Sequence, residues 1–222
     1  MRDALARQFA AIHQSVQCAH SHTEIMMMTD FLLGSPLKGA MVECGCYKGG
    51  STAKLSIVAK TSGRRLFVFD SFQGLPEPTE QDRIHHWFGD KRELHYTKGE
   101  YAGSLGDVTK HVEQFGAIDV CEFVPGFFSD TLPHFGEPSL SFIFLDVDYI
   151  SSARDCLRYL WPKLATGGRL YTHEACIEEF IYGITDCTWW HETLGHCPPL
   201  LIGAGYGCGP DASALGYMEK RN

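Results

Sequence analysis

The chain has 222 residues, 44% of them hydrophobic, with a formal net charge of −8. That length suits one α/β core, and the acidic balance, with Lys and Arg scattered and densest only at Lys91 and Arg92, argues against a nucleic-acid partner because backbone phosphates would be repelled. No apolar run approaches the roughly 18 residues that span a bilayer, and residues 2–7 lack a signal-peptide core, so a soluble, cytoplasmic protein with no membrane contact is expected.

Residues 1–38 read as a helical cap. Phe9, Ile12 and Val16, then Ile25, Met28, Phe31 and Leu32, recur at helical spacing until Gly34, Ser35 and Pro36 break it. Met26, Met27 and Met28, with His20 and His22, are assigned to packing in this cap rather than to ligand contact, since methionine fills irregular gaps. An apolar strand then enters the run Met41-Val42-Glu43-Cys44-Gly45-Cys46-Tyr47-Lys48-Gly49-Gly50-Ser51-Thr52, and a helix opens at Ser51 and runs to about Lys60. A second strand, 66–70, ends in Asp70. This is the layout of a nucleoside-type cofactor site at the carboxyl ends of parallel strands. Glycine at 45, 49 and 50 permits backbone conformations and close approaches that a side chain blocks, although a strand-to-helix turn needs glycine for steric reasons alone. Asp70, roughly 20 residues beyond the loop, can accept hydrogen bonds from both hydroxyls of a ribose. The loop has neither the G-x-G-x-x-G of a pyrophosphate cradle nor the G-x-x-x-x-G-K-[ST] of a phosphate loop, and Glu43 would repel a polyphosphate. A cationic nucleoside fits better, and S-adenosylmethionine brings a sulfonium and an ammonium.

Residues 71–78 are rich in turn formers. Residues 79–101 mix polar and aromatic side chains, among them His85, His86, Trp87, His95 and Tyr96; a connection of this length reads as a lid insertion over the substrate, with His85 and His86 as ordinary lid histidines. A helix from about Ser104 to Phe115 leads to a third strand over 120–126. Residues 140–148 form an apolar run expected to be a central strand, ending in Asp146 and Asp148. A helix over 151–164, stopped by Thr166-Gly167-Gly168, precedes a fifth strand, 169–172, that ends at His173 and Glu174. Leu200 to Ile202 and Ala214 to Met218 are expected to supply two final strands, antiparallel at the edge. The alternation predicts one domain, 1–222, with a doubly wound, mostly parallel seven-stranded sheet of the Rossmann-like type. The nine cysteines show no C-x-x-C pair, so reduced thiols are expected, and Cys187, His191, His196 and Cys197 match no zinc spacing.

Strand ends converge on one rim, which brings Asp146, Asp148, His173 and Glu174 towards the glycine-rich loop. Three carboxylates and an imidazole in one place need a cation or a proton between them, and that donor set suits Mg, Mn or Fe; the other reading is that two of the four face solvent and cap strands.

The segments 42–51, Phe69-Asp70-Ser71-Phe72-Gln73-Gly74-Leu75-Pro76, 125–133 and Leu145-Asp146-Val147-Asp148-Tyr149 resemble the macrocin-type O-methyltransferases, over about residues 40–175. The loop from Glu43 to Ser51 is also similar to that of catechol O-methyltransferases. The resemblance implies a class I S-adenosylmethionine-dependent enzyme that methylates a sugar hydroxyl in secondary metabolism and associates with itself into a homo-oligomer. Carried over by position, it implies Glu43, Gly45, Tyr47, Gly49 and Ser51 around the methionine part of the cofactor, Asp70 and Ser71 at the ribose, and Gly126 and Phe127 at the adenine edge. It implies Asp146 as a metal ligand and Asp148 as general base. The family's further ligands are an Asp-Asp pair where this chain has His173 and Glu174. These two either hold Mg or Mn with Asp146, or leave the site metal-free with His173 as the base. The same departure allows a protein that binds S-adenosylmethionine without transferring methyl. A nicotinamide dehydrogenase is disfavoured by the missing G-x-G-x-x-G. The partner expected is a small-molecule hydroxyl acceptor, towards which Trp189 and Trp190 could turn unless they belong to the core.

Overall fold

In the computed structural model, residues 1–83, 85–86, 93–137, 139–203 and 213–221 are described, His85 and Leu94 by their backbone alone. Strand β1 (Ala40–Cys44) is buried at every position, as a strand covered on both faces must be, and its period of two sorts its side chains. Ala40, Val42 and Cys44 join one hydrophobic layer, and Met41 joins the other; Glu43 shares Met41's face.

Around β1 the chain builds β2 (Leu66–Asp70), β5 (Cys121–Pro125), β6 (Leu140–Leu145), β7 (Leu164–Thr172), β8 (Leu201–Gly203) and β9 (Gly216–Glu219), numbering that leaves β3 (His85–His86) and β4 (Glu93–Leu94) for a separate two-strand ladder. The sheet order is β5-β2-β1-β6-β7-β9-β8. Pairing is parallel from β5 to β7 and antiparallel at β7–β9 and β8–β9. The doubly wound, mostly parallel seven-stranded sheet with antiparallel pairing at its edge therefore agrees with the sequence reading; only β9 runs against the parallel strands, since β8, antiparallel to β9, returns to the direction of β7. The helices are α1 (Arg2–Ser15), α2 (His22–Gly34), α3 (Gly50–Thr61), α4 (Leu105–Phe115), α5 (Phe128–Thr131), α6 (Ile150–Leu160), α7 (Glu178–Ile184) and α8 (Cys187–Leu194). Buried residues of α1 to α4 pack on one face with Met41, Phe142 and Phe144. Those of α6 to α8 pack on the other with Val42, Ile143 and Leu145. Among the described residues no helix is long and apolar enough to cross a membrane.

The cap helices are fixed by capping and by one buried cation. Ser21 and Glu24 form a reciprocal capping box at the start of α2. At its far end the Arg64 guanidinium donates to the carbonyls of Leu32, Ser35 and Leu37. Met26 and Met28 are buried, whereas Met27 faces outward.

Two expectations need correction. The helix expected over 151–164 ends at Leu160, because Pro162 cannot donate the next helical hydrogen bond, and a short tighter turn, Trp161–Lys163, follows. Gly167 and Gly168 lie inside β7, not at a helix stop. Gly167 N donates to Lys220 O and Lys220 N to Gly168 O, while the register against β6 shifts across this stretch. The sequence reading also passed over α7 and α8. Asp186 caps α8 by accepting from the amides of Thr188 and Trp189, and Gly195 closes it with φ +80°. Trp190 is fully buried against Trp161 and donates to Ile184 O at 2.6 Å, which settles it as core.

The tightest backbone approach in the sheet lies where β1 ends. Gly45 has φ +84°, and a Cβ built on it would stand 1.9 Å from the Asp146 carbonyl oxygen. Gly45→Ala is therefore expected to lose at least about 2 kcal/mol of folding stability, measured by urea denaturation; a midpoint equal to wild type would contradict this close approach.

Candidate functional site

A cavity of about 580 Å³ opens at the carboxyl ends of β1, β2, β6 and β7, a volume that fits a cofactor with a small substrate. Of the residues expected at the cofactor, Gly45, Tyr47, Ser51, Asp70, Ser71 and Phe127 line it. Glu43, Gly49 and Gly126 do not. Gly49 has φ +82° and caps α3. Gly126, at φ +140°, donates from its amide to Asp70 O, so both glycines shape the turns behind the wall. Glu43 lies beneath the loop on the α3 side, wholly buried, with neither carboxylate oxygen hydrogen-bonded among the described residues. Burial pushes its carboxyl up to about 7, only partly offset by the nearby Ser51 and Thr52 hydroxyls.

Asp70 binds the two turns together. Its Oδ2 accepts from Cys46 N at 2.8 Å and its Oδ1 from Phe72 N at 2.7 Å. A carboxylate has about four lone-pair positions, so each oxygen keeps capacity towards the cavity.

Asp148 also faces the cavity. It has φ +58°, and Tyr149 N donates to Val147 O across it at 2.6 Å. This is a three-residue turn in a region that non-glycine residues rarely enter. Glu174 holds it: its Oε1 accepts from Val147 N at 2.7 Å and Asp148 N at 3.0 Å, and its Oε2 accepts from the Thr172 hydroxyl. Glu174 lines the cavity, yet its carboxylate is engaged by these three donors and lies outside the cluster of potential metal ligands. Burial, then the charges of Asp146 and Glu174, pushes the Asp148 carboxyl well above the usual carboxylate range.

Asp146 gathers a group that the sequence reading placed only in part. His173 Nδ1 stands 3.6 Å from its Oδ1, as expected of neighbouring strand ends, and His20 Nε2 stands 3.1 Å from its Oδ2. His20 comes from the loop between α1 and α2; it is 3% exposed, stacked edge-on against Phe144 and His173. The packing role expected for His20 is thus incomplete, since it also lines the cavity. No local motif marks it, because only the fold carries that loop to the end of β6. Burial lowers the His20 pKa, but Asp146 outweighs it and the imidazole rises to about 9. Burial likewise opposes the charge on His173, and Asp146 with Glu24 lifts it to about 11.

The segment expected as a lid, 79–101, meets the core at several points among its described residues, Arg154 donating to the Gln81 side chain and Tyr96 packing on Tyr149. Asp82 accepts from Ser151 N and the Ser151 hydroxyl at the start of α6. The His86 ring contacts Glu179 on α7 and its amide donates to the same carboxylate. Thr79, Tyr96 and Tyr101 line the cavity. Trp87 and the side chain of His85 lie outside the described residues. Tyr101 packs edge-on against Tyr47 and Tyr96, giving the cavity an aromatic wall. The eight described cysteines are free thiols.

Comparison with known proteins gives the same outline. Residues 23–179 match the family model described as Macrocin-O-methyltransferase (TylF). The chain is 30% identical over 195 residues, 82% of this chain and 74% of the other, to an 8-demethyl-8-(2,3-dimethoxy-alpha-L-rhamnosyl)-tetracenomycin-C 4'-O-methyltransferase of Streptomyces olivaceus. It is 30% identical over 149 residues to a demethyldecarbamoylnovobiocin O-methyltransferase of Streptomyces niveus, covering 65% of this chain and 55% of that one. Its fold is similar to the solved O-methyltransferase NovP, with a TM-score of 0.71 and 23% identity over 92% of this chain and 84% of that one.

The buried Glu43 carboxyl has a pH signature. Its folded pKa of about 7 exceeds the ordinary 4.5, so its contribution is most favourable below 4.5 and declines as pH rises to about 7, then levels off. Glu43→Gln is expected to stabilise the ligand-free protein at pH 8 by an amount on the order of 1–3 kcal/mol and to leave it nearly unchanged at pH 4.5. Thermal melts at the two pH values measure this; equal shifts at both would refute it.

Proposed function

The chain belongs to the macrocin O-methyltransferase family, and we propose that it moves the methyl group of S-adenosylmethionine to a hydroxyl on a sugar of a secondary metabolite. What supports this most is one cavity in which Gly45, Tyr47, Ser51, Asp70 and Phe127 share a wall with Asp146 and Asp148. Asp70 directs its spare lone pairs at the ribose hydroxyls. The amino end of α3, with the Ser51 hydroxyl, receives the donor's carboxylate, as helix amino ends favour anions. Phe127 lies against the adenine, and Ser71 borders the ribose.

Transfer asks little of the protein beyond alignment and proton removal, because the sulfonium is already activated. Asp148 takes the proton from the acceptor hydroxyl while that oxygen attacks the methyl carbon. The carbon–sulfur bond breaks and its electron pair stays on sulfur, leaving a neutral thioether. The strained turn held by Glu174 fixes where the Asp148 carboxylate points, which is what a base in a short-lived alignment requires. His173 has Asp146 beside Nδ1 and Glu24 beside Nε2, so both ring nitrogens already face carboxylates and it fits the role of base poorly. Tyr47, Tyr96 and Tyr101 give the acceptor ring a flat apolar face. The two relatives above are named for a rhamnosyl-tetracenomycin and for demethyldecarbamoylnovobiocin, and a glycosylated secondary metabolite is the acceptor class proposed for this chain. The family resemblance also implies a divalent cation beside Asp146, which when bound would acidify the acceptor hydroxyl. Mg takes a near-octahedral oxygen shell, and with the Glu174 carboxylate engaged and His173 in place of an acid, the residues present do not offer it one.

Two measurements test the reading. Calorimetric titration with S-adenosylhomocysteine should show one site, and Asp70→Ala should weaken it by about 10-fold or more through lost charged hydrogen bonds; no uptake by wild type would end the proposal. Asp148→Asn should abolish transfer from labelled S-adenosylmethionine to glycoside acceptors while S-adenosylhomocysteine affinity stays within about threefold. A variant with full rate would remove Asp148 as the base.

A further inference from the structure

We propose that His20 Nε2, Asp146 and His173 Nδ1 form a site for a first-row transition dication such as Mn, Fe, Co or Zn. The inference concerns ion binding and stands or falls separately from methyl transfer.

The three ligand atoms lie within 4.8 Å of one another around the end of β6. Metal bonds of about 2.1 Å place ligand atoms roughly 3 Å apart. The two imidazole nitrogens stand 3.1 and 3.6 Å from the two different oxygens of the Asp146 carboxylate, Oδ2 and Oδ1, so rotation of that carboxylate and the two rings closes the site. Each imidazole also has its second nitrogen occupied by a neighbour that orients it. His173 Nε2 faces Glu24 Oε2 at 3.4 Å, and His20 Nδ1 faces Cys18 Sγ at 3.4 Å. Metal-binding histidines commonly have such outer partners, which fix the tautomer and direct the other nitrogen inward. Of His20, it is Nε2, the inward nitrogen, that is buried with no hydrogen bond of proper geometry. Its 3.1 Å approach to Asp146 Oδ2 is an ion pair without hydrogen-bond geometry, an arrangement that leaves the buried nitrogen poorly satisfied. A cation shared with Asp146 and His173 would satisfy it.

The donor set also selects the ion. Two imidazoles with one carboxylate and room for further ligands suit first-row transition ions, whereas Mg and Ca require mainly oxygen. The cavity beside the cluster supplies the open positions. His20 belongs to the cap, outside the strand ends that carry the other two ligands, so the cation would tie the cap to the sheet.

Cobalt is the probe, because its visible absorption reports nitrogen ligands directly. Full-length protein stripped with chelator and titrated with Co should take up one equivalent and develop visible bands, and millimolar Mg should not displace it. His20→Asn and His173→Asn should each weaken binding by about 100-fold, while Glu174→Gln should bind within about threefold. X-ray absorption of the Zn-loaded wild type should show two imidazoles in the first shell, a readout that needs no variant to fold. The proposal is overturned if Co does not bind, if Mg competes at similar concentration, if His20→Asn binds like wild type, or if the absorption fit finds fewer than two imidazoles. Loss of S-adenosylhomocysteine binding alone would count against the function proposed above and not against this site.

Discussion

A single buried carboxylate, that of Glu24, ties together the three parts of the chain that must meet for the cavity to exist. Its Oε2 accepts from Ser21 N, closing the capping box of α2, and faces His173 at the end of β7. Its Oε1 accepts from the Ser213 hydroxyl and Ala214 N, which fixes the segment entering β9. Burial alone would raise its pKa, but His173 and Ser21 hold it at about 2, so the charge persists at any ordinary pH. A buried charge is tolerated only with such a set of partners, and removing one leaves the others exposed to the desolvation penalty. The cap is therefore a wall of the site rather than an accessory to it. Through His173 the same network continues to Asp146 and on to His20.

The strand ends show how function is built on local strain. Gly45 can approach Asp146 O only because it lacks a Cβ, and Tyr47 and Asp148 take positive φ without glycine's freedom. Gly103 makes a similar concession, since a Cβ there would stand 1.8 Å from Tyr47 O. Such conformations cost on the order of 1–3 kcal/mol each and persist only when their surroundings dictate them. Here the dictating contacts are explicit. Asp70 holds the turns after β1 and β2, and Glu174 holds the turn after β6. Two acids that look from sequence like ligand contacts thus also act as backbone anchors.

Much of the fold was legible because parallel central strands announce themselves as apolar runs, and β1, β2 and β6 are buried along their full length. The turns after β1 and β2 were legible too, through glycine and the terminal Asp70. What failed was local competition and distance. Gly167 and Gly168 look like a helix stop, but pairing with the segment after β9 overrides that preference. Helices α7 and α8 are short; α7 has no side-chain cap, and the capping signals of α8, Asp186 and Gly195, surround aromatic residues that read as either ligand wall or core. His20 sits about 126 positions before Asp146 in the chain, and nothing in its neighbourhood announces the meeting; a non-local contact of this kind is set by topology rather than by local pattern.

The exchange of an expected Asp-Asp pair for His173 and Glu174 becomes coherent once the cap is included. The extra methylene of glutamate lets the carboxylate of residue 174 reach the amides of Val147 and Asp148 and serve the turn from within. That takes it out of the ligand set. Its neighbour brings an imidazole in place of a negative charge, so a hard oxygen-seeking cation loses two acidic ligands at once. The loss is not left open, because the loop before α2 delivers His20 to the vacated side of Asp146, and Cys18 and Glu24 orient the two rings. Three residues from three elements thus change the character of one position from oxygen-rich to nitrogen-rich, while Asp148 keeps its place beside the cavity.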